Sequence, residues 1–81
     1  MTAREKRLTR LKSRPRNFTF QEMSSVLAGF GYRRVEGAGS RVRFEHERLP
    51  PIHLHKPHPK PIMKSYQLDQ VLETLRESGL L

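Results

Sequence analysis

The stretch "GYRRVEGAGSRVRFEHERLPPIHLH", Gly31–His55, decides the fold. Its apolar residues alternate with polar ones instead of recurring at helical spacing, so it reads as strands. "YRRVE" forms a short first strand, and Gly37-Ala38-Gly39 supplies a flexible turn. "SRVRFEH" then sets Val42 and Phe44 on one face with Arg41, Arg43 and Glu45 on the other. Leu49-Pro50-Pro51 ends that strand. "IHLH" alternates again, with Ile52 and Leu54 inward and His53 and His55 outward. A three-stranded antiparallel meander is the economical arrangement. With Phe44 opposite Ile52, the register sets Arg43 against His53 and Arg41 against His55, cross-strand neighbours about 5 Å apart at Cβ.

Helical patterns flank this sheet. In "NFTFQEMSSVLAGFGY", Thr19 and Glu22 have capping-box spacing, and Phe18 and Met23 have the spacing of a hydrophobic staple, so a helix starts near Phe20. Met23, Val26, Leu27 and Phe30 make its apolar face, and Gly31 is placed to end it. After the sheet, "KPHPKP" (Lys56–Pro61) has proline at every second position and reads as an extended connector outside any central ladder. Ser65 is a candidate cap for a last helix carrying Leu68, Val71, Leu72 and Leu75, with Gly79 at its end. The expected fold is α+β, a two-layer sandwich of order α-β-β-β-α. Two main helices cover one face of a three-stranded antiparallel sheet, and the other face, with Arg41, Arg43, His53 and His55, is left to solvent or a ligand.

Eighty-one residues make one small core. A net charge of +8 favours a polyanionic partner, with RNA, DNA, an acidic protein and anionic lipid all candidates. No cysteine is present, so neither a disulfide nor a thiolate metal site is available. Without an apolar leader or a membrane-length apolar run, the expected location is cytoplasmic. The charge is concentrated in residues 1–17, where seven bases face Glu5 alone for a net +6. The domain reading is therefore a basic N-terminal extension, 1–17, followed by a globular domain, 18–81. Leu8 and Leu11 give the extension a thin apolar stripe, enough for loose docking. Asp69, Glu73 and Glu77 form an acidic stripe on the last helix, which turns nucleic acid toward the sheet side and offers the extension a place to rest.

The candidate chemistry lies in the histidines. His53, His55 and His58 form an H-x-H-x-x-H run, but no cysteine and no evident carboxylate completes a zinc site, so no metal and no cofactor are expected. His46 shares the inward phase of Phe44 and reads as a partly buried structural histidine. "GAGS" lacks the lysine and following helix of a phosphate-binding loop.

The helix ending "GFGY", the Gly-Ser turn into "GSRVRF", His46 after it, the Pro-His-Pro run and the terminal "ESGLL" together resemble the HicA toxin family. These are small bacterial mRNA interferases with a double-stranded-RNA-binding-domain-like fold, each paired with a HicB antitoxin. The resemblance implies a toxin that binds and cleaves mRNA without a metal, and a HicB-like partner. In the family a catalytic histidine usually follows the Gly-Ser pair, where this chain has Arg41. A guanidinium keeps its proton at neutral pH, whereas an imidazole serves as acid or base there. Catalysis is accordingly expected from His55 or His53 with Arg41 as the electrostatic partner, and RNA contacts from Ser40, Arg41, Arg43, Lys56 and His58. The alternative is a non-catalytic RNA-binding module, or an inactive relative working through a protein partner.

Overall fold

The computed structural model describes residues 2–81. Its elements are α1 (Ala3–Lys12), α2 (Phe20–Gly29), β1 (Arg33–Glu36), β2 (Arg41–Glu45), β3 (Ile52–His55) and α3 (Ser65–Glu77). The sheet is an antiparallel meander in the order β1-β2-β3. α2 and α3 cover its inner face, giving the expected two-layer α+β sandwich, and α1 packs on α2 and α3.

Alternation explains the core. Val42, Phe44, Ile52 and Leu54 project inward and are buried against Met23, Val26 and Leu27 of α2 and Leu68, Val71 and Leu75 of α3. Phe20 and Phe44 stand with ring centroids 6.3 Å apart.

The helix ends are set by local chemistry. The Thr19 hydroxyl accepts from the Glu22 N–H at 3.1 Å while the Glu22 carboxylate accepts from the Thr19 N–H at 3.1 Å, a complete capping box. At the other end of α2 the chain leaves through Gly31 at φ +96°, a conformation that excludes most side chains. The Gly31 and Tyr32 N–H groups there close onto Ala28 O and Leu27 O. α3 differs from expectation by one position. Ser65 is its first residue, not its cap; the cap is Lys64, whose N–H is taken by Gln67 Oε1 at 3.1 Å. The proline-rich connector differs from the expected extended run: it bends over His58–Pro61, with a cis bond between His58 and Pro59, and is drawn onto the start of α2 by the Thr19–Ile62 bridge and the bonds Phe20 N–H to Pro61 O and Met63 N–H to Phe18 O.

The N-terminal extension is more firmly held than its two leucines imply. Leu11 is fully buried. Arg10 donates to the Glu22 carboxylate at 2.7 Å and to the Asn17 side chain at 3.0 Å, and its bond to Glu22 holds that carboxyl below the usual carboxylate range. Arg14 adopts φ +50°, uncommon for a side chain of this size, and turns the chain so that its guanidinium meets Asp69 at 2.9 Å. The acidic stripe of α3 does receive the arm.

Candidate nucleic-acid interface

The outer face of the sheet is built by the same alternation that builds the core. Arg41 faces His55 and Arg43 faces His53 across β2 and β3. The Arg41 backbone is committed to the β1 side: its N–H donates to Ala38 O at 3.2 Å and its carbonyl accepts from the Gly37 N–H at 2.9 Å. The next pair toward the sheet end is closed by the Lys56 N–H on Ser40 O at 2.8 Å. Hydrogen-bonded and non-hydrogen-bonded pairs alternate along an antiparallel ladder. Arg41/His55 and Arg43/His53 are therefore both non-hydrogen-bonded pairs, the kind with Cα atoms about 4.5 Å apart and the closest side chains.

The free edge of β3 is held from the other direction. Gln67 Nε2 donates to the His55 carbonyl and Gln70 Nε2 to the His53 carbonyl, each at 3.1 Å. Gln67 is buried, and its oxygen is the one that caps α3. One amide thus fixes the backbone of His55 to the start of the last helix. Sequence reasoning missed both glutamines, although Gln67 was detectable as a polar residue in phase with Val71 and Leu75.

Between the two arginines and two histidines lies an open concavity of about 510 Å³, bounded at the turn by Gly37 and Ala38. A Cβ at Gly37 would stand 3.3 Å from the Cβ of Arg41 and 3.2 Å from its carbonyl oxygen. The missing side chain keeps that end uncrowded.

Charge is distributed unevenly over this surface. Glu45 is shared by Arg43 at 3.2 Å and Arg33 at 3.7 Å. On the opposite, helix side of the sheet Glu36 is shared by Lys56 at 3.0 Å and Arg34 at 2.8 Å, and the Lys56 hydrogen bond is the main cause holding its carboxyl below the usual range. Among the described residues Arg41 pairs with no carboxylate, and the rings of His53 and His55 have no hydrogen-bond partner. All three side chains are exposed.

The remaining candidates fall elsewhere. Ser40 and Lys56 continue the ladder by one pair, so the pleat turns their side chains to the helix side, where Glu36 engages Lys56. His58 is exposed in the connector beyond β3. Among the described residues no three His, Asp or Glu side chains converge on a metal-sized point. His46 is structural: its Nδ1 accepts from the N–H groups of Arg48 at 3.0 Å and Leu49 at 3.2 Å. Those bonds leave the proton on Nε2, which donates to Phe30 O at 2.9 Å. The ring meets Tyr32 edge-on at 5.0 Å. A cleft of about 590 Å³ between the end of α1 and α3 carries charges of both signs, and Arg14 already occupies Asp69 there.

The class these features define is a small two-layer α+β domain with one sheet face under helices and the other open and basic. Residues 20–80 match the family model of the HicA toxin of bacterial toxin-antitoxin, and the chain belongs to the HicA toxin family. Membership gives it a toxin–antitoxin role and implies a HicB-like antitoxin partner. No curated protein and no solved structure matches the chain. Among the described residues no helix is long and apolar enough to cross a membrane.

Proposed function

We propose that this protein is an endoribonuclease toxin that binds mRNA on the outer sheet face and cleaves it without a metal, with His55 as general base. The observation that carries this reading is the Arg41/His55 pair, directly opposed, exposed and unengaged among the described residues. In this mechanism the neutral His55 imidazole takes the 2′-hydroxyl proton, and the 2′-oxygen attacks phosphorus. The bond to the 5′-oxygen breaks, and protonated His53 supplies the proton that the leaving oxygen needs. The products are a 2′,3′-cyclic phosphate and a 5′-hydroxyl. Arg41 clamps the non-bridging oxygens with a charge that persists throughout. His53 and His55 are two residues apart on one strand face, with Cα atoms roughly 6–7 Å apart, a spacing that lets two rings flank one phosphate.

Arg41 stands where the family's catalytic histidine is usual, and that substitution favours one further reading: a non-catalytic RNA binder, or an inactive relative acting through its antitoxin. Residues 18–81 would carry either activity, with 1–17 as an added basic element. Purified protein at substoichiometric amounts should convert RNA to fragments ending in cyclic phosphate. Arg41→Ala should impair both cleavage and binding. Arg41→His restores the usual residue, and cleavage at or above the parent level would show that the strand still offers the older site. Retarded RNA without any cleavage, in the parent and in Arg41→His alike, would establish the binder and reject the nuclease.

A further inference from the structure

The extension carries seven basic residues, and among the described residues two of them are held in ion pairs with carboxylates: Arg10 on Glu22 and Arg14 on Asp69. Lys12 lines the cleft beside the acidic stripe. Arg4, Lys6 and Arg7 are exposed and pair with no carboxylate among the described residues. Their placement is costly to the helix. Arg4 and Arg7 are like charges at i, i+3, and Lys6 and Arg10 at i, i+4, spacings that destabilise. All three occupy the first half of α1, where the backbone dipole disfavours positive charge.

The helix is nevertheless mounted rigidly. Leu11 is buried in the core, Thr2 caps the first turn by accepting from the Glu5 N–H at 3.2 Å, and the Arg10 and Arg14 bridges clamp the far end. The stem of Arg4 lies across Gly29 of α2, where a Cβ would meet its Cδ at 2.9 Å. α1 packs on the helical layer, on the side of the molecule away from the outer sheet face, and lies outside the residues that match the family.

We propose that Arg4, Lys6 and Arg7 form a second RNA-binding surface that takes backbone phosphates of the same strand whose scissile region lies on the sheet. The proposal rests on RNA as the ligand of that sheet. Phosphate recognition fits these cations because it needs positive charge on a rigid mount and no apolar anchor, whereas the core of a protein interface is built around apolar and aromatic groups, and the apolar crevice beside Arg4 measures only about 100 Å³. A long RNA reaching both surfaces gains a local concentration at the second from its hold on the first. The body to be spanned measures 33 × 29 × 21 Å.

The test compares parent, the triple variant Arg4→Ala/Lys6→Ala/Arg7→Ala, and Arg41→Ala, using unstructured RNAs of about four and about thirty nucleotides, the shorter sized for one face. Three lost phosphate contacts at a slope of about −0.7 each should make log K against log salt shallower by about 2 for the long RNA in the triple variant. Binding of the short RNA should be weakened by Arg41→Ala and left within about two-fold by the triple variant. Equal slopes for parent and triple variant on the long RNA would overturn the α1 surface and leave the sheet assignment standing. If Arg41→Ala changes neither RNA, the sheet assignment fails, and this proposal falls with it. Unchanged RNA binding with loss of an acidic protein partner, seated beside the small apolar crevice of Leu8, Val26 and Phe30, would reassign α1 to protein docking. Thermal unfolding controls for folding; should the triple variant melt early, Lys6→Gln/Arg7→Gln keeps Arg4 on Gly29 and should make the slope shallower by about 1.4.

Discussion

The two ends of β2 carry similar residues in opposite states. At the Glu45 end the carboxylate and the imidazole are both engaged: Glu45 by Arg43 and Arg33, and both ring nitrogens of His46 by three backbone groups. At the Arg41 end, four residues earlier, a guanidinium and an imidazole face each other across the strands with no partner among the described residues. An imidazole whose nitrogens are both committed holds a turn in place and has no lone pair to take a proton from elsewhere. One with free nitrogens on an open face can exchange protons with a ligand. The chemistry of a histidine here follows from what the backbone leaves it to do.

Exchanging the states of these histidines breaks the comparison most directly. His55→Ala removes the proposed base and should cost about 10²–10⁴-fold in cleavage, with RNA affinity nearly intact because Arg41 and Arg43 remain. His53→Ala tests the acid and should show its loss on the other limb of the pH profile. If both alanine variants cut RNA at the parent rate, the free end of β2 is not where the reaction takes place.

His46→Ala should do the reverse. It strips Phe30 O and the Arg48 and Leu49 N–H groups of their partner, and a hydrogen bond removed from one side costs the desolvation of the group left behind. Water reaches part of this turn, so a loss of about 1–3 kcal/mol is expected. For a domain of this size each kcal/mol lowers Tm by roughly 4–8 °C. Cleavage per folded molecule should survive. A stable His46→Ala protein with lost cleavage would place the reactive histidine at the wrong end.

The shared face that defines this comparison is legible in the sequence, whereas the pairing of Arg41 with His55 is not, since a two-residue slip would keep every side chain on its face. A one-residue slip would expose the whole apolar set, and that alone places Arg41, Arg43, His53 and His55 together on the outer side. The capping box of Thr19 and Glu22 is equally local. The acidic stripe of α3 is legible as a resting place for the extension, but the contact made there is not, because it depends on Arg14 entering a left-handed conformation that sequence rules assign to glycine, with Asp69 fifty-five residues away. Nor is the division of charge on the outer face. Which cation stays unpaired depends on β1, whose pairing of Arg33 with Glu45 is set by a glycine-rich turn of no fixed length in sequence terms. The side-chain direction of Ser40 and Lys56, expected RNA contacts, is likewise set in the structure by the ladder pair they add, because the alternation that turns Arg41 and His55 outward turns their neighbours to the helix side.

The smallest effect examines whether engagement itself separates the two ends. Glu45 lies on the RNA side of the pleat and holds Arg43 and Arg33, so two cations of the proposed binding face are shared with a carboxylate that also repels phosphate. Exposed ion pairs of this kind contribute little to stability, and Glu45→Gln should leave Tm almost unchanged. Releasing Arg43 removes one opposing charge near the RNA, an interaction of about 1 kcal/mol at 4 Å in water. RNA affinity should therefore rise about two- to five-fold at low salt, and the gain should disappear as salt screens it. In an Arg43→Ala background the same substitution should yield less, because the principal released cation is gone. A Glu45→Gln protein that binds RNA no more tightly than the parent at low salt would mean that the Glu45 end lies outside the RNA path, and would confine the interface to Arg41, His53 and His55.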